Sequence, residues 1–589
     1  MRACRNDRAP RSASAALAGL ALAAFLAAPA SAEVGPPIRL LPPATGTGPA
    51  IPDRAPTPAA EPAAAPEAPG DAIQSTPLTP VDASWAGTLG DGDRPLPQTM
   101  WQGTPRALVV TALPLLAPST SPALHDLARR LLLSNAVPPA GQDPADGPSL
   151  AALRIERLAA LGEVDGALAV LEALPATRHS EALDRLAVEL RFAKLDRDGA
   201  CRQVQESVAR YQGTWWDRAL IACQALAGDQ AKASLGLSLL REQKVPREPS
   251  FDTLIEILGG RAAKLDKLRD PTPLTLVLLA AAKLPLPAEA VAAADPPSLF
   301  AWANNTAVPP LQRLAAAERA AALGALAPDA LGELYGKIEF KPEELGQAIK
   351  QGKAPATPRD RALLYAVART DPAAEVRAMA LEALLAEGRK REVFAATARL
   401  LAPLLAELPP GPDLRDAAPD ILRALYAAGR GDAAAPWLAL LDPAAAPTSL
   451  VLAHLALGAP AALDDKTFHD ALAALRQRDA AAGAKQGALL LTLWAALGEP
   501  VNPADGASFL APARDATMPS AALWLDQQQA AAAKRLGETV LATLVIARAG
   551  DRLSGEPIVL GRVVAGLKSV GLDAEARAVA VEAALAAGI

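Results

Sequence analysis

Residues 158–175, Leu-Ala-Ala-Leu-Gly-Glu-Val-Asp-Gly-Ala-Leu-Ala-Val-Leu-Glu-Ala-Leu-Pro, constrain the fold more than any other feature of this chain. The spacing predicts the end of one helix, a tight turn at Gly162, and a second helix that stops at Pro175. Leu158 and Leu161 fall on one side of the first helix. Ala167, Leu168, Leu171 and Leu174 fall on one side of the second, at helical spacing. Gly162 can take the positive φ that ends a helix, and Asp165 is placed to cap the next one. Variants of this hairpin recur to the C-terminus.

Apolar residues make up 51% of the 589, but aromatics only 3%. The apolar content is therefore mostly Ala and Leu, both strong helix formers. A sandwich or barrel would draw on more Val, Ile, Thr and aromatic residues. The fold class read from this is all-α, an α-solenoid of stacked helical hairpins. The chain is too long for one ordinary domain core. Its net charge is −6, with Lys and Arg scattered. No basic stripe of the kind a nucleic-acid binder needs is present.

The N-terminus reads as a secretory signal peptide over residues 1–32. Arg2, Arg5, Arg8 and Arg11 form a positive n-region, Ala15 to Ala28 an apolar h-region, and Ala30-Ser31-Ala32 a small-residue cleavage site. Cleavage after Ala32 gives an exported protein, periplasmic or secreted, with no transmembrane segment in the mature chain. The alanine-dominated run is short for a membrane span, and an uncleaved anchor is the alternative. Cys4 precedes the h-region, which excludes lipoprotein-type cleavage. Residues 33–80 are Pro/Ala-rich without apolar periodicity, the composition of a disordered, semi-rigid linker.

Three helical regions follow, at 81–270, 271–408 and 409–589. The first begins with a mixed segment, read as a cap, in which Ser121-Pro122 forms an N-cap followed by an N1 proline. Gly166-Ala167, Gly199-Ala200 and Gln230-Ala231 are then taken as equivalent, 33 and 31 residues apart. Between about Pro271 and Lys353 prolines loosen the rhythm, and Pro409-Pro410-Gly411-Pro412 marks the best internal boundary. In the final helix Glu575, Arg577 and Glu582 form a polar outer face, as a C-terminal cap requires.

Gly162, Ala167 and Leu171 fit a pattern of small residue, alanine and large apolar residue, as do Gly429, Ala434 and Leu438. Gly571 and Ala576 fit its first two places, with Ala580 at the third. On these residues the chain resembles the tetratricopeptide-like helical-repeat superfamily, without that family's aromatic signature positions. The resemblance implies hairpins stacked in that manner and a groove suited to a protein or peptide. Trp101-Gln102-Gly103-Thr104-Pro105-Arg106-Ala107-Leu108 and Gly571-Leu572-Asp573-Ala574-Glu575-Ala576-Arg577 are also similar to alanine-rich exported proteins of high-GC proteobacteria. That likeness brings no function with it.

Candidate chemistry is sparse. Cys201 and Cys223 lie near register in one hairpin and read as a disulfide, with two buried free thiols as the alternative. The four histidines, His125, His179, His454 and His469, show no metal-ligand spacing. The reading contains no catalytic residue, cofactor or metal. Trp215 and Trp216, beside the turn at Gly213, are candidate partner contacts, with core packing as the alternative. Function is read as a non-enzymatic envelope scaffold or adaptor for an unidentified protein or peptide partner. The rival is a peptidoglycan-processing enzyme or accessory factor with a helical superstructure. Its catalytic glutamate would have to be Glu206, the sole Glu followed by Ser.

Overall fold

The hairpin at 158–175 folds as helices Leu150–Leu161 and Val164–Glu172, joined at Gly162 with φ 83°. The N–H groups of Gly162 and Glu163 return to the carbonyls of Ala159 and Leu158 and satisfy the end of the first helix. A Cβ at position 162 would lie 2.3 Å from that of Ala325, so packing as well as φ demands glycine here. Asp165 is not the cap. It stands one residue inside the second helix, exposed, and pairs with Lys194 Nζ at 2.6 Å.

The coordinates are a computed structural model, and it describes residues 82–589 apart from 270, 351, 353, 459–462, 479 and 508–517. The expected signal peptide and linker, residues 1–32 and 33–80, lie outside the described residues. Among those described the protein is all-α, with 28 α-helices and one two-residue antiparallel strand pair, Arg548–Ala549 with Arg552–Leu553.

The turn at Gly162 recurs at equal spacing at Leu195 (φ 64°) and Gly228 (φ 82°). Five residues after each stands a fully buried alanine: Ala167, Ala200 and Ala233. An alanine there lets consecutive helices approach closely, because only a methyl group stands between them. This corrects the third sequence equivalence. Ala231 is exposed, and Ala233 takes the buried place.

From Leu150 to Leu258 each helix packs on the next. The chain then reverses. Helix Pro273–Ala281, apolar all round, packs back on Glu181–Ala193, Thr214–Leu226 and Pro249–Leu258. Helix Pro296–Asn304 packs back on Leu150–Leu161 and Glu181–Ala193. Prolines in this stretch start helices rather than break them, at Pro273, Pro296, Pro310, Pro328, Pro342 and Pro358.

Helix Pro122–Leu133, here the hub helix, is buried at every residue but Asp126 and Arg129. It contacts Leu150–Leu161, Leu536–Ile546 and the final helix Asp573–Ala586. The segment read as an N-terminal cap thus packs on the C-terminal helices. The three residues read as the polar outer face of the final helix correspondingly turn inward. Glu575 and Arg577 are 13% and 20% exposed at the side chain, and Glu582 is buried.

Candidate functional site

The hub helix is held at both ends by charged side chains of opposite sign. At its start, Ser121 Oγ accepts from the Leu124 N–H at 3.3 Å. Ser121 donates to Glu582, and the Ala123 N–H donates to Glu582 Oε1 at 2.9 Å. At its end, Arg154 donates to the carbonyls of Leu132 and Ser134, and the Thr88 N–H donates to that of Leu133 at 2.9 Å. Carboxyl at the N-terminus and guanidinium at the C-terminus both complement the helix dipole. Burial opposes both charges. It pushes the Glu582 carboxyl up to about 7 against the pull of Arg399, and the Arg154 guanidinium down to about 10.

Along the sides of the hub, the polar residues reach three other helical segments. Asp126 Oδ2 lies 2.9 Å from Arg399 Nη1, on helix Phe394–Ala406. Arg130 pairs with Glu575 of the final helix, and its Nε donates to the Arg94 carbonyl at 2.7 Å. His125 Nε2 lies 3.1 Å from Glu163 Oε1, and Arg129 Nε lies 3.4 Å from Glu163 Oε2. Glu163, which makes no side-chain cap bond to its own helix, faces the hub instead.

Two clefts flank the Asp126–Arg399 pair, and both are lined by it. One, of about 410 Å³, runs past His125, Arg129 and Glu163. The other, of about 570 Å³, is walled by the hub, Ala418–Ala427, Pro447–Leu457 and Asp573–Ala586. Ala427, Ala428, Gly429, Gly431, Ala574 and Ala578 keep its walls thin. Its lining includes Arg94, Arg130, Arg399 and Arg577, the acidic residues Asp126, Glu575 and Glu582, and Tyr426. The Tyr426 hydroxyl is buried without a partner, and burial pushes it up to about 12. This chemistry suits recognition by charge and hydrogen-bond donation.

The histidine–glutamate contact occurs twice. His454 Nε2 lies 3.1 Å from Glu499 Oε1, with Arg577 Nη2 at 3.9 Å from the same oxygen. Both histidines are buried, and both glutamates follow a left-handed glycine, Gly162 or Gly498. Each of these turns is the pentapeptide Ala-Ala-Leu-Gly-Glu, at 159–163 and 495–499. The duplicated pentapeptide is the sequence signal that would have found the pair.

Cys201 and Cys223 are joined as a disulfide between Arg197–Ser207 and Thr214–Leu226, Cα–Cα 5.6 Å. Trp216 is not available to a partner. It is 1% exposed, donates from Nε1 to Glu181 Oε1 at 3.0 Å, and stacks on Tyr211. Trp215 is half-buried, with the Arg185 guanidinium 4.8 Å from its ring centre. His179 and His469 pair with Asp184 and Asp505, at 2.9 and 2.7 Å. Glu206 is exposed, while Ser207 beside it is buried. Among the described residues no cluster could hold a metal ion, and no helix is long and apolar enough to cross a membrane. Comparison with protein-family models, with curated proteins and with solved structures gives no match.

Proposed function

We propose that this protein is a non-enzymatic helical-repeat scaffold of the bacterial envelope, whose tetratricopeptide-like hairpins present a cleft to a protein or peptide partner. On this reading residues 1–32 direct export and residues 33–80 space the helical region from its point of attachment or release. The observation that carries it is the cleft against the hub helix, where side chains from widely separated helices converge on one space of about 570 Å³. The equal spacing of the turns at 162, 195 and 228 supports the repeat class.

The test is in-cell photocrosslinking from a probe at Leu457, which lines the cleft and is 45% exposed. A probe at the distant, 60% exposed Leu235 serves as control. Capture of one stoichiometric envelope protein at 457 and not at 235 is the expected result. Capture of glycan fragments, or of the same proteins from both positions, would count against the scaffold reading.

A further inference from the structure

The larger cleft carries four guanidiniums against three carboxyls, in a protein whose net charge is −6. One of the three, Glu582, is already occupied by Ser121 and the Ala123 N–H. The other two are engaged, Glu575 with Arg130 and Asp126 with Arg399. Donor capacity is left over. Arg399 Nε and the Tyr426 hydroxyl have no hydrogen-bond partner, although Tyr426 is only 4% exposed. Buried donors of this kind are ordinarily paired, so the cleft is short of acceptors.

Arg94 is the most exposed of the four arginines. Its backbone sits in the left-handed region, φ 52° and ψ 58°, and its carbonyl is fixed by the buried Arg130. The Arg94 side chain is nonetheless 68% exposed at the cleft, with its nearest guanidinium nitrogen 3.9 Å from Glu575.

We propose that this cleft is a carboxylate-binding site, in which Arg94 closes over the C-terminal carboxylate of a peptide. The carboxylate supplies the acceptors that the wall lacks, and a planar guanidinium matches it in two-point geometry. The site deepens the partner-binding reading, and rests on it for the source of the ligand.

The experiment is calorimetric titration of the full chain at pH 7.5 and low salt. The probes are trialanine as the free acid, the same tripeptide as its C-terminal amide, and succinate. The free acid binds, the amide binds about tenfold more weakly or not at all, and Arg94→Ala weakens the acid by about tenfold, as loss of a charge-assisted bond requires. Arg94→Ala leaves Tm unchanged, because its side chain is mostly exposed. Succinate binding as tightly as the tripeptide, and lost in Arg94→Ala, supports the carboxylate site and counts against a peptide as its source. Equal binding of acid and amide overturns the carboxylate site and leaves the peptide reading standing. No binding of either acid overturns the proposal.

Discussion

The Ala123 N–H donates to Glu582 Oε1 at 2.9 Å, joining residues 459 positions apart in the chain. This contact, with that from Ser121, makes the last helix the N-terminal cap of the first large one. Glu582 thereby joins Glu575 in tying the C-terminal helix to the hub helix. Arg399 and Asp126 are the other charges that face Glu582.

Glu582 gives stability a defined pH dependence. Burial raises its carboxyl from an ordinary 4.5 to about 7. The folded protein therefore holds this proton over a range in which the unfolded chain has lost it. Its contribution is fully present below about 4.5 and falls away as pH climbs toward about 7. In Glu582→Gln the neutral amide keeps an acceptor for the Ala123 N–H. Scanning calorimetry should give equal Tm for the two proteins at pH 5 and a higher Tm for Glu582→Gln, by a few degrees, at pH 8. Glu189, buried and likewise pushed up to about 7, is present in both and cancels in the comparison. Parallel Tm–pH curves would sink the assignment.

A buried charge cluster makes a second prediction. Glu318 receives Arg361 in two bonds, Nε to Oε1 at 2.9 Å and Nη2 to Oε2 at 2.6 Å, and Tyr335 donates to Oε1 at 2.7 Å. Arg391 Nη1 adds a contact to Glu318 at 3.1 Å. Removing one partner strands the others, whereas replacing both removes the need for charge. Arg361→Met should cost about 3–5 kcal/mol, and Glu318→Leu with Arg361→Met together much less than the two single changes summed. Urea midpoints of the two single variants and the double one decide it, and simple additivity would refute the coupling.

Much of this architecture is written locally. The turn at Gly162 and the cap at Ser121 follow from residue types at helical spacing, and both form as read. Register is harder. Ala233 rather than Ala231 is buried because the helix begins after Asp229, whose carboxyl accepts from the Lys232 N–H at 3.2 Å. The cleft was not legible at all. Glu575, Arg577 and Glu582 make a polar stripe, and a stripe reports polarity without reporting whether water or another helix faces it. Arg577 illustrates the point, since it donates to the His454 and Leu455 carbonyls at the end of Pro447–Leu457. Alanine walls leave no sequence mark either, because the same residue fills tight helix contacts elsewhere.

The Cys201–Cys223 bond spans a separation of 22 residues. A loop of that size stabilises by about 3 kcal/mol through the unfolded state. Cys201→Ser with Cys223→Ser should therefore lower the Tm, and reductant should lower the wild type to match. The protein recovered from cells should show no reaction of these two thiols with maleimide after denaturation. Labelling of both would mean that the pair is reduced where the protein works.

The two adjacent tryptophans should separate cleanly. Trp216 is itself buried, packed against Tyr211 and Trp215 with its Nε1 on the exposed Glu181 carboxylate, so its loss opens a cavity. Trp216→Ala should cost about 3–5 kcal/mol, the range for a large aromatic removed from a core. Trp215 keeps one face partly open beneath Arg185, and Trp215→Ala should cost about 1 kcal/mol, the scale of an ordinary point change. Only Trp215 can then report on a partner at this surface. Loss of crosslinked partner in Trp215→Ala, with Tm lowered by no more than that small cost, would place a contact there. Capture equal to wild type would leave the ring a packing element and the cleft against the hub helix as the place to look.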